Sequence, residues 1–203
     1  MQSALVMISG GIDSAAALYV TAKELKTRAV FFDYGQAAAD FELTAARQIC
    51  RAADVPLEVV NLSGLKHFFL GLMPGPQIAI GFAGGPGDRV GNCPHGLFGL
   101  ASTYCVSAGI ATLVTGMHGE DTPNAAAMQK YLDTWGAAIC ELQGVDFKFQ
   151  FPFLSKTKAQ VVETGRELGV PLELTRSCTA SSPLPCGECK ACEERERAIT
   201  SAG

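Results

Sequence analysis

No run of 18 or more apolar residues occurs in this 203-residue chain, so the sequence offers no membrane-spanning helix. A surplus of positive charge is also missing: 16 Lys and Arg stand against 20 Asp and Glu, a formal net charge of −4. That removes the overall basic field by which a protein is drawn to nucleic acid, and no nucleic-acid partner is expected. Met1-Gln2-Ser3-Ala4 carries neither the basic region nor the long apolar stretch of a signal peptide, which leads to the expectation of a cytoplasmic protein. No internal repeat and no linker divides the chain, so a single domain over residues 1–203 is expected. With 48% hydrophobic and only 18% charged residues, that domain has material for a full core.

What the chain does have is alternation. The apolar run Ala4 to Ile8 stops at Ser9-Gly10-Gly11 and reads as a buried strand, followed by a helix from Ser14 to Leu25. Arg28 to Tyr34 predicts a second strand, Asp40 to Ala53 a helix, and Leu57 to Val60 a third strand. Glycine and proline then crowd residues 71–96, a long irregular segment of the kind that is usually functional. A helix over Leu97 to Ala108, a strand over Thr112 to Thr115 and a helix reaching Leu142 follow, the last with Thr122 as its cap and Pro123 in its first turn. Phe147 to Phe151 predicts a fifth strand, and Lys156 to Leu168 a helix capped by Ser155. Strands alternating with helices predict an α/β fold, a doubly wound parallel five-stranded sheet with its ligands at the carboxyl ends of the strands.

The first strand-to-helix turn carries the chemistry. In Ile8-Ser9-Gly10-Gly11-Ile12-Asp13-Ser14 two glycines let the backbone bend and bring N–H groups close to an anion. The helix behind them adds free N–H donors and the positive end of its dipole. Ser9 and Ser14 can donate to phosphate oxygens, and Asp13 is suited to hold Mg²⁺ beside a triphosphate. The loop has neither the lysine of the Walker type nor the dinucleotide spacing. It resembles the pyrophosphate loop of the N-type ATP pyrophosphatases, which cleave ATP while adenylating a substrate.

Eight cysteines need explaining in a reducing compartment. Cys50, Cys93, Cys105 and Cys140 are scattered and read as small buried hydrophobes. Cys178, Cys186, Cys189 and Cys192 instead follow C-x7-C-x2-C-x2-C, which suits one tetrahedral Zn²⁺ with no open position, a structural knuckle over residues 176–199. A redox pair would explain two of them and leave two unused.

Taken in order, the glycine loop, Asp33-Tyr34-Gly35-Gln36, Gly116 with Glu120-Asp121, Lys156-Thr157-Lys158 and the terminal cysteines resemble the 7-cyano-7-deazaguanine synthase family of N-type ATP pyrophosphatases. The stretch Gly169 to Cys178 with Pro185-Cys186-Gly187 is the most specific part. The resemblance implies an adenine nucleotide α-hydrolase-like sheet, a cytoplasmic homodimer, and ATP, Mg²⁺ and one structural Zn²⁺. It implies a deazapurine acid and ammonia as substrates. Asp13 and Lys158 are then the catalytic candidates, and Asp33, Gln36 and Gly116 join the loop in holding nucleotide. Glu120 and Asp121 are candidates for metal or for the acid's amino groups, and Arg89, beside Asn92 and His95, for its carboxylate. This chain departs from the family where Ala37-Ala38-Ala39 replaces basic and histidine residues, at Val90 to Gly96, and where Thr122-Pro123-Asn124 directly follows the Glu-Asp pair. A relative handing its adenylated acid to another amine, such as one on a protein, is therefore an open alternative. A tRNA-thiolating enzyme and a non-catalytic nucleotide-binding module are weaker ones.

Overall fold

The computed structural model describes residues 3–65, 95–121 and 124–202. Five parallel strands, β1 (Ser3–Met7), β2 (Lys26–Asp33), β3 (Leu57–Asn61), β4 (Thr112–Val114) and β5 (Lys148–Gln150), form one sheet in the order β3-β2-β1-β4-β5. β1 runs down the middle, with Ala4, Leu5 and Val6 fully buried, because a central parallel strand has helices on both faces and no room for polar side chains. Ala4 to Val6 pairs with Thr112 to Val114 on one side, and Ser3 to Met7 with Lys26 to Val30 on the other.

One face is covered by α1 (Ile12–Glu24), α2 (Ala39–Ala52) and α5 (Lys158–Glu167). Their Ala15, Ala16, Ala46, Ile49 and Val161 pack on Val6, Ala29 and Phe31. The other face carries α3 (His95–Ala108) and α4 (Ala125–Gln143), whose Phe98, Ala101 and Leu132 meet Leu5, Leu113 and Phe149. Winding reverses between β1 and β4, so the crevice beyond their carboxyl ends is the switch point where such sheets bind ligands. No helix among the described residues is long and apolar enough to cross a membrane.

Three local expectations need correcting. Thr157, not Ser155, caps α5: its hydroxyl accepts from Gln160 N while the Gln160 side chain accepts from Thr157 N, a reciprocal capping box. Only the threonine has a glutamine three residues on. Asn124 caps α4, its Oδ1 accepting from Ala127 N at 2.9 Å; Thr122 and Pro123 lie outside the described residues. From Lys190 onward, with Cys192 inside it, the tail forms a 12-residue helix, α6 (Lys190–Ser201), where the sequence predicts only a knuckle over residues 176–199.

Candidate active site

At the end of β1 the chain turns through Ser9-Gly10-Gly11 into α1. Gly10 has φ +80°, and a Cβ there would sit 2.5 Å from the Glu42 carbonyl oxygen on α2, so only glycine fits the turn. The two serines lock the loop from inside. Ser9 N donates to Ser14 Oγ at 3.1 Å, the two hydroxyls lie 3.1 Å apart, and Ser14 Oγ donates to Gly11 O at 3.1 Å. Gly11, the N-cap of α1, makes no side-chain cap, which leaves the helix's first N–H groups without a side-chain acceptor. Ile8 is buried below the loop, and Ile12 is buried against Val162 and Ala198, anchoring it to α5 and α6. Behind the loop the Gly10 carbonyl accepts from Arg176 N at 2.8 Å. The Arg176 guanidinium stacks on Phe41 at 4.8 Å and donates to Ala180 O and Ser182 O at 2.9 and 2.6 Å. One arginine thus ties the glycine loop to the cysteine tail.

Asp13 faces the switch point, where its Oδ2 forms an ion pair with Lys158 Nζ at the start of α5. Its Oδ1 is buried and accepts no hydrogen bond from the described residues. An anionic oxygen with that environment fits a cation. Gly116, just past β4, presses on the same turn, leaving no room for a Cβ against Asp13.

The next residues bring a group the sequence reading passed over. His118 is buried, and its Nδ1 accepts from Glu120 N at 3.3 Å. The ring proton therefore belongs on Nε2, which lies 3.3 Å from Asp121 Oδ1 and 3.9 Å from Asp13 Oδ1. His118 N donates to Asp121 Oδ2 at 2.9 Å. Burial pushes the Asp121 carboxyl above its usual range, with Asp13 adding to the rise while the His118 hydrogen bond and Lys158 oppose it. In the sequence only its place between Gly116 and Glu120-Asp121 marks this histidine. Glu120 Oε2 accepts from Lys158 N at 2.9 Å and so holds the beginning of α5.

Other expected residues have local partners. Asp33 Oδ1 accepts from Gly35 N at 3.0 Å. Gln36 is buried in the same turn: its Oε1 accepts from Tyr34 N at 2.9 Å and its Nε2 donates to Phe32 O and Glu42 Oε2. His95 opens α3 and bonds Tyr131 on α4 at 2.8 Å. Arg89 and Asn92 lie outside the described residues.

Beside the Asp13–Lys158 pair lies a cavity of about 660 Å³, walled by His118, Glu120, Asp121 and Lys158 and, opposite, by α6. The sulfurs of Cys178, Cys186, Cys189 and Cys192 lie within 4.8 Å of one another. A zinc ion 2.3 Å from each of four tetrahedral sulfurs needs them about 3.8 Å apart, so the group closes on such an ion with small adjustments. Backbone donors already point at sulfur, with Cys186 N and Ala180 N at 3.3 and 3.5 Å from Cys178 Sγ. The Thr179 N–H, the largest influence on Cys189, helps bring its thiol down to about 6, toward the thiolate a metal requires. Burial pushes the thiol of Cys192 in the same group up to about 12, as it does those of Cys50 and Cys105 in the core.

A family model described as queuosine biosynthesis protein QueC matches residues 3–203. The 7-cyano-7-deazaguanine synthase of Persephonella marina is 32% identical over 216 residues, covering 99% of this chain and 93% of that protein. The Aquifex aeolicus enzyme of the same name is 29% identical over 209 residues, covering 96% and 95%. Among solved structures, the NMN synthetase of Francisella tularensis superposes with a TM-score of 0.57 at 17% identity, covering 98% of this chain and 76% of that one. The NH3-dependent NAD synthetase of Campylobacter jejuni gives 0.54 at 13% identity, covering 85% and 66%. At such identities these two establish the fold alone.

Proposed function

The chain belongs to the QueC family of queuosine biosynthesis proteins, and from that premise we propose that it converts 7-carboxy-7-deazaguanine and ammonia to 7-cyano-7-deazaguanine at the expense of ATP. The supporting observation is the Asp13–Lys158 pair set beside an open glycine loop at the sheet's switch point. The free N–H groups at the start of α1 receive the β- and γ-phosphates. A carboxylate oxygen of the substrate attacks the α-phosphorus, and pyrophosphate leaves. Lys158, drawn from Asp13 toward the departing phosphates, offsets the charge that builds there. Asp13, with its unsatisfied Oδ1, is the residue to hold Mg²⁺, which when bound screens the triphosphate and stabilises the leaving group. Ammonia then attacks the acyl carbon and AMP departs, giving the amide. A second ATP activates the amide oxygen, which leaves as part of AMP while two N–H protons are lost, and the nitrile remains. The four cysteines are assigned one structural Zn²⁺.

A second reading keeps the adenylation and changes the acceptor. Where the family has basic and histidine residues, this chain has Ala37-Ala38-Ala39, of which Ala38 is buried at the entry to α2 and Ala39 is its first residue. That segment has no side chain to steer a substrate acid, which favours an altered acid or another amine as acceptor. Mass spectrometry of products after incubation with ATP, Mg²⁺, the acid and ammonium separates the readings. A nitrile supports the first. An amide, or an adenylate transferred only when a protein amine is supplied, supports the second, and absence of AMP rejects both.

A further inference from the structure

Four arginines serve the C-terminal third of the described chain, and three are spent on holding it together. Arg176 bonds the knuckle's carbonyls. Arg195 donates to Thr175 Oγ1 at 2.6 Å and Leu172 O at 2.7 Å. Arg166 donates to Ala202 O and Ile199 O, capping the end of α6. Cys192 and Ala198 are buried on the inner side of the same helix. α6 is thus fixed at its start by the cysteine knuckle and at its end by Arg166.

The fourth, Arg197, makes no hydrogen bond or ion pair with the described residues, and it lines the cavity beside the Asp13–Lys158 pair. Lys190, Glu194, Arg197 and Ser201 all line it, and their spacing of four, three and four residues puts them on one stripe of α6. Lys190 is already paired with Glu194 at 3.5 Å, which leaves Arg197, among the described residues, as the free cation of that wall. The rest of the lining brings Glu120 and Asp121 together with Lys158, which is already paired with Asp13. A ring bearing N–H donors on one side and a carboxylate on the other matches both walls.

Resting on the function proposed above, we infer that this cavity is the acid-binding site and that Arg197 receives the carboxylate, with the ring's N–H groups toward Glu120 and Asp121. Guanidinium and carboxylate meet through two parallel charged hydrogen bonds, a geometry lysine cannot copy. The cysteine knuckle then serves the reaction indirectly, by setting the wall that carries Arg197.

The test is calorimetric titration of the full-length protein with 7-carboxy-7-deazaguanine, in the presence of an α,β-methylene ATP analogue that cannot be split. Arg197→Ala should weaken acid binding about 10- to 100-fold, Arg197→Lys should fall between, and affinity for the ATP analogue should not change. Arg197 is exposed, so zinc content and Tm should match the parent protein. Equal acid binding by Arg197→Ala would overturn the assignment while leaving the functional reading standing. A loss confined to the ATP analogue would assign the guanidinium to phosphate and overturn it equally. If the unaltered protein fails to bind the acid, the functional reading falls and this inference with it.

Discussion

Gly116 lies flat against Asp13: a Cβ at Gly116 would come within 2.5 Å of both the carbonyl carbon and the carbonyl oxygen of Asp13. The end of β4 therefore acts as a backstop for the glycine loop that follows β1. Gly116→Ala should push the Asp13–Ser14 backbone out of place, costing about 1–3 kcal/mol in stability as overpacking does. ATP affinity should fall as well. Thermal unfolding and ATP titration together check this; an unchanged ATP affinity would show that the loop tolerates the shift.

Asp13→Asn keeps the shape of the side chain and removes its charge, leaving Lys158 without its partner. Pyrophosphate release should fall about 100-fold or more, the scale seen when one electrostatic contact to a developing charge is removed. Release at the parental rate would remove Asp13 from the role assigned to it.

Purified protein should contain one Zn²⁺ per chain, and Cys189→Ser should lower both metal content and Tm, since binding free energy in such knuckles is folding free energy. The damage should reach the phosphate loop, because Arg176 bonds the knuckle's carbonyls and its N–H holds Gly10 O. Metal analysis without zinc, accompanied by a disulfide on a non-reducing gel, would contradict the prediction.

Glu42 offers a test by pH. Burial raises its carboxyl above the usual range, although the Gln36 hydrogen bond and Arg176 pull it back. A carboxyl raised in the folded state contributes most below its unfolded pKa, and that contribution is lost as pH rises through the folded value. Glu42→Gln, which still accepts from Gln36, should therefore raise Tm at neutral pH and flatten the decline in stability between mildly acidic and neutral solution. A Tm that drops at neutral pH would mean that the charge is needed for Arg176.

The five strands and their helices were legible because each buried strand is a short apolar run ended by a turn residue, as in Ala4 to Ile8 before Ser9-Gly10. The turn at Ser9-Gly10-Gly11 was legible because it is made by consecutive residues. The cysteine group was legible for the same reason, its spacing being the local constraint of one metal. His118 was not, since a single histidine between two glycines gains meaning only when Asp13, 105 positions earlier, is folded against it.

Local spacing, then, determined which residues turn, which strands are buried and which cysteines gather, because those properties depend on near neighbours in the chain. The tertiary structure decided which of them work together. Lys158 reaches Asp13 across 145 positions because β1 and β4 are adjacent at the switch point and α5 packs beside α1. Arg197 stands at the cavity because the knuckle and Arg166 clamp α6 beside it, although nothing in its own surroundings in the sequence sets it apart from Arg195. Parallel strands need long crossovers, so residues that share a site in such a fold come from distant parts of the chain, and only the packing of the sheet brings them together.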